Sequence, residues 1–377
     1  MNLIPEWMSN VHPLIVHFPI ALLVIAVLAD FVGLILKRYV WLKPAALWLY
    51  VLGALGTVAA YFSGKQAADV VNFPAPSFPV ISSHADLALF TMLFFSIYAL
   101  IRLVLAWKKW ERNFVVSIVL FVVAFGGLGL VQQTAERGGE LVFRYGVGTK
   151  ATLGKEQADI KSKPDTINIK IEENGSWAWQ AGKKGALQFR QNFKLLKGSW
   201  DDLTLRVVKD ENNTPALLLQ TNKKTAFVFT YGPKLKNVQI TAQVKLNNFN
   251  GRFFVAHHIL NSLTYDFFVI ENKDVRLGRL NQGKVSFFDT GTIDDGQKLN
   301  LKVVSSSGHY RGYVNDQLLV HGHGSDLAAG QTGLVIFGSG SVQLFNINVV
   351  SLDKEAPMMN METSGMSHDK EQGEHGH

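Results

Sequence analysis

The chain has 377 residues, 47% of them hydrophobic, with a net charge of +7 and no cysteine. Without cysteine there are no disulfides, no CxxCH haem attachment, no Cys-ligated zinc and no iron–sulfur centre. Much of the basic excess stands beside apolar runs, where it sets membrane topology, so nucleic acid is not an expected partner.

The first apolar run, Leu14–Leu36, contains Asp30 as its single charge. About 20 apolar residues cross a bilayer core, so this run predicts a spanning helix. His12-Pro13 and His17-Phe18-Pro19 stand at its mouth. Histidine at membrane depth marks a candidate functional site, against the plainer alternative of interfacial packing. Residues 1–13 hold no Lys or Arg, so no cleavable signal peptide is expected. Three more runs follow, Leu42–Phe62, Leu87–Trp107 and Phe114–Val131. Lys37, Arg38 and Lys43 mark one turn, and Arg102, Lys108, Lys109 and Arg112 mark another, while the 63–86 loop carries only Lys65. The positive-inside rule puts the two basic turns in the cytoplasm and both chain termini outside. Everything after Val131 is then expected outside; in a two-membrane bacterium that is an inner-membrane protein with its later part in the periplasm.

Helix contacts are also predicted. Gly53, Gly56, Ala59 and Ala60 give the second helix a small side, and Gly126, Gly127 and Gly129 do the same for the fourth. Ser83 and Asp86 have the spacing of a capping box at the start of the third helix. Asp30 and Arg102 both approach the cytoplasmic end, which predicts a buried ion pair; the alternative is an Arg102 that snorkels to the headgroups.

The alternating topology gathers His12, His17, Ser63-Gly64, His84 and the segment 134–139 at the outer ends of the helices. His12-Pro13-x-x-x-His17-Phe18-Pro19-Ile20, Ser63-Gly64 with Ala67, His84, and Gly138-Gly139-x-Leu141-Val142-Phe143-x-x-Gly146-Val147 resemble the bacterial four-helix membrane family known as domain of unknown function 2231. The resemblance covers about residues 8–149. It implies a respiratory or redox context, since members are sometimes fused to cytochrome-like or periplasmic modules. From the residues, imidazoles facing each other across a bundle are a cysteine-free way to hold haem b. By depth His17 and His84 are the expected axial pair. His12 serves a second centre or supports the first, and Arg137 pairs with a propionate. Copper or zinc at the membrane surface is the rival cofactor, and no cofactor at all is the third alternative.

Residues 150–197 read as a linker passing into the first strands, including Thr166–Ile171. Trp177 and Trp179 are expected in a core, with sugar stacking as the alternative. From 198 to 352 short β runs recur every 8–12 residues: Leu203–Val208, Ala226–Thr230, Val238–Leu246, Phe253–Ile259, Tyr265–Ile270, Leu299–Val304, Tyr310–Val314, Leu318–His321 and Val342–Val349. Asn315-Asp316 predicts a tight hairpin. The pattern predicts an antiparallel β-sandwich. The segment 308–316, with Gly330-x-x-Gly333-Leu334 and the last strand, resembles concanavalin-like or laminin-G-like jelly rolls, some of which bind or cleave glycans. No carboxylate pair stands at a recognisable spacing for glycoside hydrolysis. His257 and His258, as strand neighbours, are expected on opposite faces, whereas His321 and His323 share one and form a candidate metal chelate. The tail from 353 to 377 is expected to be disordered. Its Met358, Met359, Met361, Met366, His368, His375 and His377 suit copper.

The predicted fold is therefore a four-helix transmembrane bundle over 1–149 followed by a jelly-roll β-sandwich and a tail. The expected function is haem-based or metal-based electron transfer in the envelope, with redox proteins as partners. The alternatives are a non-catalytic anchor displaying a glycan- or protein-binding sandwich, and copper handling.

Overall fold

The computed structural model describes residues 10–36, 38–71, 73–110, 113–148, 168–246, 249–294, 298–325 and 327–353. Helix α1 (His12–Ile15) passes through Val16 into α2 (His17–Ile35), and Pro13 and Pro19 remove two backbone donors around this irregular step. Helices α3 (Leu42–Val70), α4 (Phe78–Trp107) and α5 (Phe114–Phe143) follow. Consecutive helices pack together, and α2 also packs against α5. All four spans are long and apolar enough to cross a membrane. An exposed belt that includes Ile25, Leu28, Leu52, Leu55, Ile97, Leu100, Val122 and Phe125 surrounds them, as a lipid-facing surface does.

The inner seam holds Leu23, Ala26, Tyr50, Ala54, Phe95, Tyr98 and Ala124. Small residues let the backbones close in. A Cβ at Gly53 would meet Leu23 at 2.6 Å, and one at Gly127 would run into the Phe94 ring. Gly126 and Gly129 take no part, since a Cβ there would meet nothing. Asp30 and Arg102 are joined: Arg102 Nη1 donates to Asp30 Oδ2 at 2.6 Å and to the Tyr98 hydroxyl at 3.2 Å. Arg102 is buried rather than snorkelling.

Three helices overrun the predicted apolar limits at the histidine end. Helix α3 continues past Phe62, α5 continues past Val131, and α4 starts at Phe78 rather than near Leu87. At α4 and α5 the extra turns pack against a second domain: Phe78, Ile81 and Leu141 share an apolar cluster with Val304, Tyr313 and Leu352. The expected capping box does not form, because Ser83 and Asp86 lie inside α4. The helix opens instead after Pro74-Ala75-Pro76-Ser77, with the Ser77 hydroxyl donating to Pro74 O at 2.8 Å.

That second domain is an antiparallel β-sheet closed into a sandwich. Its strands are β1 (Trp177–Gln180), β2 (Lys194–Lys197), β3 (Thr204–Lys209), β4 (Pro215–Leu235), β5 (Val238–Lys245), β6 (Phe249–Asn261), β7 (Thr264–Glu271), β8 (Asp274–Asn281), β9 (Lys284–Thr292), β10 (Leu299–Ser306), β11 (His309–Val314), β12 (Gln317–His323) and β13 (Gly330–Ser351). The main order is β12-β11-β10-β5-β13-β6-β7-β8-β9, and β1 to β4 attach through β13 and β4. The backbone amide of His321 donates to Asp289 Oδ2 at 2.8 Å, which brings β12 beside β9 and draws the two ends of the order together. Alternation drives burial: Val238, Ile240, Ala242 and Val244 of β5 face the core with Phe253, Val255, Phe268 and Ile270. Trp177 and Trp179 are fully buried in that core, so they stack no ligand. The 150–197 stretch adds a helix that the sequence did not suggest, α6 (Gly185–Asn192), which lays Phe189 on the same core. Asn315 and Asp316 both have positive φ, 50° and 64°, as a two-residue hairpin turn between β11 and β12 requires.

Candidate functional sites at the helix ends and on the sheet

The structure brings His12, not His17, to His84. Their ring centroids are 6.4 Å apart and nearly perpendicular. His84 Nδ1 donates to the Thr134 carbonyl at 2.9 Å. His12 Nδ1 lies 3.0 Å from Ser63 Oγ, whose hydroxyl donates to Ala60 O, so Oγ accepts from the ring. Both Nδ1 atoms are thereby tied down, and a neutral ring then leaves Nε2 as a bare lone pair. Gly64 and Gly138 lie against the two rings: a Cβ would approach His12 to 3.0 Å and His84 to 3.1 Å. His17 stands five residues after His12, about 140° further around the helix. It is exposed, with Nδ1 on Pro13 O at 2.6 Å. The expected pairing of His17 with His84 is therefore not present. Arg137 is half-exposed and bound to Glu140 at 2.9 Å, and Glu140 also holds Arg144.

A second histidine group lies where the two domains meet. On β11 and β12, His309 is the register partner of His323, and Arg311 is the partner of His321. His309, His321 and His323 each offer a ring nitrogen within 4.8 Å of the others. His309 Nε2 lies 3.3 Å from a carboxylate oxygen of Asp86 on α4. Burial lowers the pKa of all three imidazoles, and His321 falls to about 3 with the nearby Arg311 adding to the effect. At neutral pH the group is uncharged. Sequence reading found His321 and His323 but missed His309. The missing signal is a bulge between Gly312 and Tyr313. Counting back evenly from the Asn315-Asp316 turn sets His309 opposite Gly322; the extra residue on β12 sets it opposite His323. The tail residues Met358, Met359, Met361, Met366, His368, His375 and His377 lie outside the described residues.

A third group is enclosed in the sandwich. Arg279 makes two hydrogen bonds to Asp266, at 2.6 and 3.0 Å, and donates to the Tyr310 hydroxyl at 3.0 Å. His258 Nδ1 lies 3.4 Å from Asp266 and 2.8 Å from His257 Nδ1. His257 and His258 do not face opposite sides as expected. His258 has φ of +50° and the β6 register shifts after His257, so the chain turns one imidazole back toward the other. Burial pushes His257 down to about 3. Burial raises Asp266, but hydrogen bonds from His258 and Arg279 outweigh it and hold the carboxyl at about 2.

The outward face of β6 to β9 carries the most accessible arrangement. Alternate residues place Phe254, Tyr265, Phe267, Val269 and Leu280 on one apolar floor. A Cβ at Gly278 would come within 2.5 Å of the Ser286 carbonyl oxygen and 2.8 Å of the Phe267 ring, so this position must lack a side chain. Val285 and Phe287 form one bank, and Phe287 is 53% exposed. At one end Glu271 accepts from Arg252 Nε at 2.8 Å and from Arg276 Nη1 at 3.0 Å, while Arg276 Nη2 donates to Asp274 at 2.7 Å. The Arg276 guanidinium carbon lies 5.5 Å from the Phe287 ring centre. The Arg252 bond chiefly holds the Glu271 carboxyl below its ordinary range, so it is ionised at neutral pH. The result is a shallow groove, open to solvent, in which Arg252 and Arg276 stand beside an aromatic bank, both held by Glu271 and Arg276 also by Asp274. Sequence reading did not single out these residues.

Residues 8–151 match the family described as a predicted membrane protein, DUF2231. No curated protein matches the chain. Among solved structures, a carbohydrate-binding module, CBM66, from Bacillus subtilis is similar at 13% identity and a TM-score of 0.35, over 42% of this chain and 96% of that one. A protein of unknown function with a galectin-like fold from Bacillus subtilis is similar at 10% identity and 0.37, over 52% and 96%. A galectin of Caenorhabditis elegans is similar at 11% identity and 0.27, over 41% and 99%.

Proposed function

We propose that this protein is a non-catalytic membrane-anchored receptor whose β domain binds a saccharide in the groove of β6 to β9. The observation that carries the reading is the Arg252–Glu271–Arg276–Asp274 row beside the half-exposed Phe287. A pyranose has an apolar C–H face and a rim of hydroxyls. The face suits an aromatic ring, and the hydroxyls suit charged partners already held in place by one another. Because the row is fixed by its own ion pairs, little side-chain entropy is lost on binding. The protein embedded in lipid nanodiscs is expected to be retained by members of a panel of immobilised oligosaccharides. Phe287→Ala and Glu271→Gln should each weaken that retention by roughly tenfold or more, since hydrogen bonds to charged groups contribute about 1.5–3 kcal/mol. Retention by no saccharide, or unchanged retention in both variants, would remove the reading.

The orientation follows the charges: the basic turns at 37–43 and 102–113 lie in the cytoplasm of a bacterial inner membrane and the β domain outside. Because the chain lacks cysteine, single probes are clean. Lys108→Cys should react with an impermeant maleimide only after the membrane is opened, and Asn315→Cys in intact spheroplasts. The reverse pattern would invert the protein.

A second reading concerns His12 and His84. Two imidazoles with Nδ1 anchored and Nε2 bare at one bundle end have the donor set that haem b, or a copper or zinc ion, takes. Bound haem would carry electrons to envelope redox proteins. Protein made with haem available would then show a Soret band that His12→Ala and His84→Ala each abolish or shift, and that exposed His17→Ala leaves unchanged. A wild-type spectrum with no band excludes haem.

A further inference from the structure

We infer that His309, His321 and His323 form a binding site for a divalent, imidazole-preferring metal ion, zinc or copper, with Asp86 of the membrane bundle holding His309 in place. The site is independent of the saccharide groove and of the His12–His84 pair.

The donor atoms are arranged for this. His309 Nδ1 and His321 Nε2 are both buried and have no hydrogen-bond partner. A buried nitrogen left without a partner is costly, and a ligand that accepts its lone pair removes the cost. His309 Nε2 faces Asp86 at 3.3–3.4 Å, so its N–H has a carboxylate acceptor and the lone pair is fixed on Nδ1, the unpartnered side. A ligating histidine whose other nitrogen donates to a carboxylate is the usual supporting arrangement in metal sites. His323 lies beside both rings, with centroids 4.6 Å from His309 and 4.9 Å from His321. A pair on one strand, 321 and 323, and a third from the neighbouring strand give three nitrogens on one face of a rigid sheet. Side chains of a two-stranded hairpin need less ordering than those of a loop.

Charge around the group decides the fourth ligand. Arg311, buried and over the Phe78 ring, and Lys65 oppose a cation there, while Asp86 favours it and Asp69 offsets part of the Arg311 charge. Two acids balance two bases locally, so the metal is tolerated, and an anionic fourth ligand such as hydroxide would be drawn toward Arg311. Because Asp86 belongs to α4 and the histidines to β11 and β12, the ion would also fasten the β domain to the bundle.

The test uses the full chain in detergent with zinc chloride or cobalt chloride as the probe; the tail histidines are present in every sample and contribute equally. Wild type should bind one tight equivalent of zinc that His12→Ala/His84→Ala retains and His321→Ala/His323→Ala loses. Asp86→Asn, which touches no metal, should weaken that equivalent by roughly 10–100-fold. Cobalt should give the intense visible bands of a four-coordinate histidine site in wild type and not in the double variant. Should the double variant misfold, His323→Gln, at an exposed ring, carries the same readouts. Equal zinc uptake by wild type and the His323 variant, or uptake of inorganic phosphate but no zinc, would overturn the assignment.

Discussion

Replacing Arg102 by leucine is expected to destabilise the bundle by about 3–5 kcal/mol, because it leaves Asp30 as an uncompensated charge inside the helices. Arg102 is 3% exposed, and Asp30 accepts both of its terminal nitrogens. The guanidinium also donates to Tyr98, whose hydroxyl donates to Leu120 O, so one substitution loosens α2, α4 and α5 together. Asp30→Leu/Arg102→Leu should recover much of the loss, since removing both charges also removes their desolvation cost. Thermal unfolding of the three proteins in one detergent checks this. A double variant as unstable as Arg102→Leu would show that the pair itself, not the stranded charge, carries the effect.

Arg279→Met should have a comparable effect in the β domain, about 3–5 kcal/mol, by stranding the fully buried Asp266. The same network makes the domain labile to acid. Asp266 sits at about 2 when folded against an ordinary 3.8. Its contribution is therefore present above pH 4 and is lost as pH falls toward 2; a gap of about two units corresponds to roughly 2–3 kcal/mol. His257 acts in the same direction by the opposite chemistry. Its folded pKa of about 3 lies below the ordinary 6.5, so the unfolded chain takes up a proton that the folded chain refuses. Stability falls as pH drops from 6.5 toward 3. Urea unfolding followed across pH 7 to 3 should show this decline, and His257→Phe should make its upper part less steep, with His321, also at about 3, supplying part of the rest. A wild-type profile that is flat from pH 7 to 4 would contradict the buried neutral imidazole.

What the sequence makes legible is whatever depends on period and charge. The four apolar runs, the alternating basic turns and the Asp30–Arg102 pair follow from helix length and depth alone. The Asn315-Asp316 turn and the β5 alternation follow from local backbone preference. What it hides are places where the chain departs from regular geometry. The chain is irregular at Val16, between α1 and α2, and depth along an even helix does not say that His12 rather than His17 is the one that meets His84. The bulge at Gly312 moves His309 onto the face of His321 and His323, and the positive φ of His258 folds two strand neighbours together. The groove is hidden for another reason. Arg252, Glu271 and Arg276 are ordinary exposed strand charges until register sets Arg252 opposite Glu271 and a hairpin sets Asp274 beside it.

The claim that the β6 to β9 groove is a saccharide site is tested most directly by determining the structure of the protein with an oligosaccharide that the panel selects. The account predicts a pyranose ring lying on Phe287, with its hydroxyls hydrogen-bonded to Glu271 and to Arg252 or Arg276. A sugar seated on any other face of the β domain, with that row still closed on itself, would contradict it.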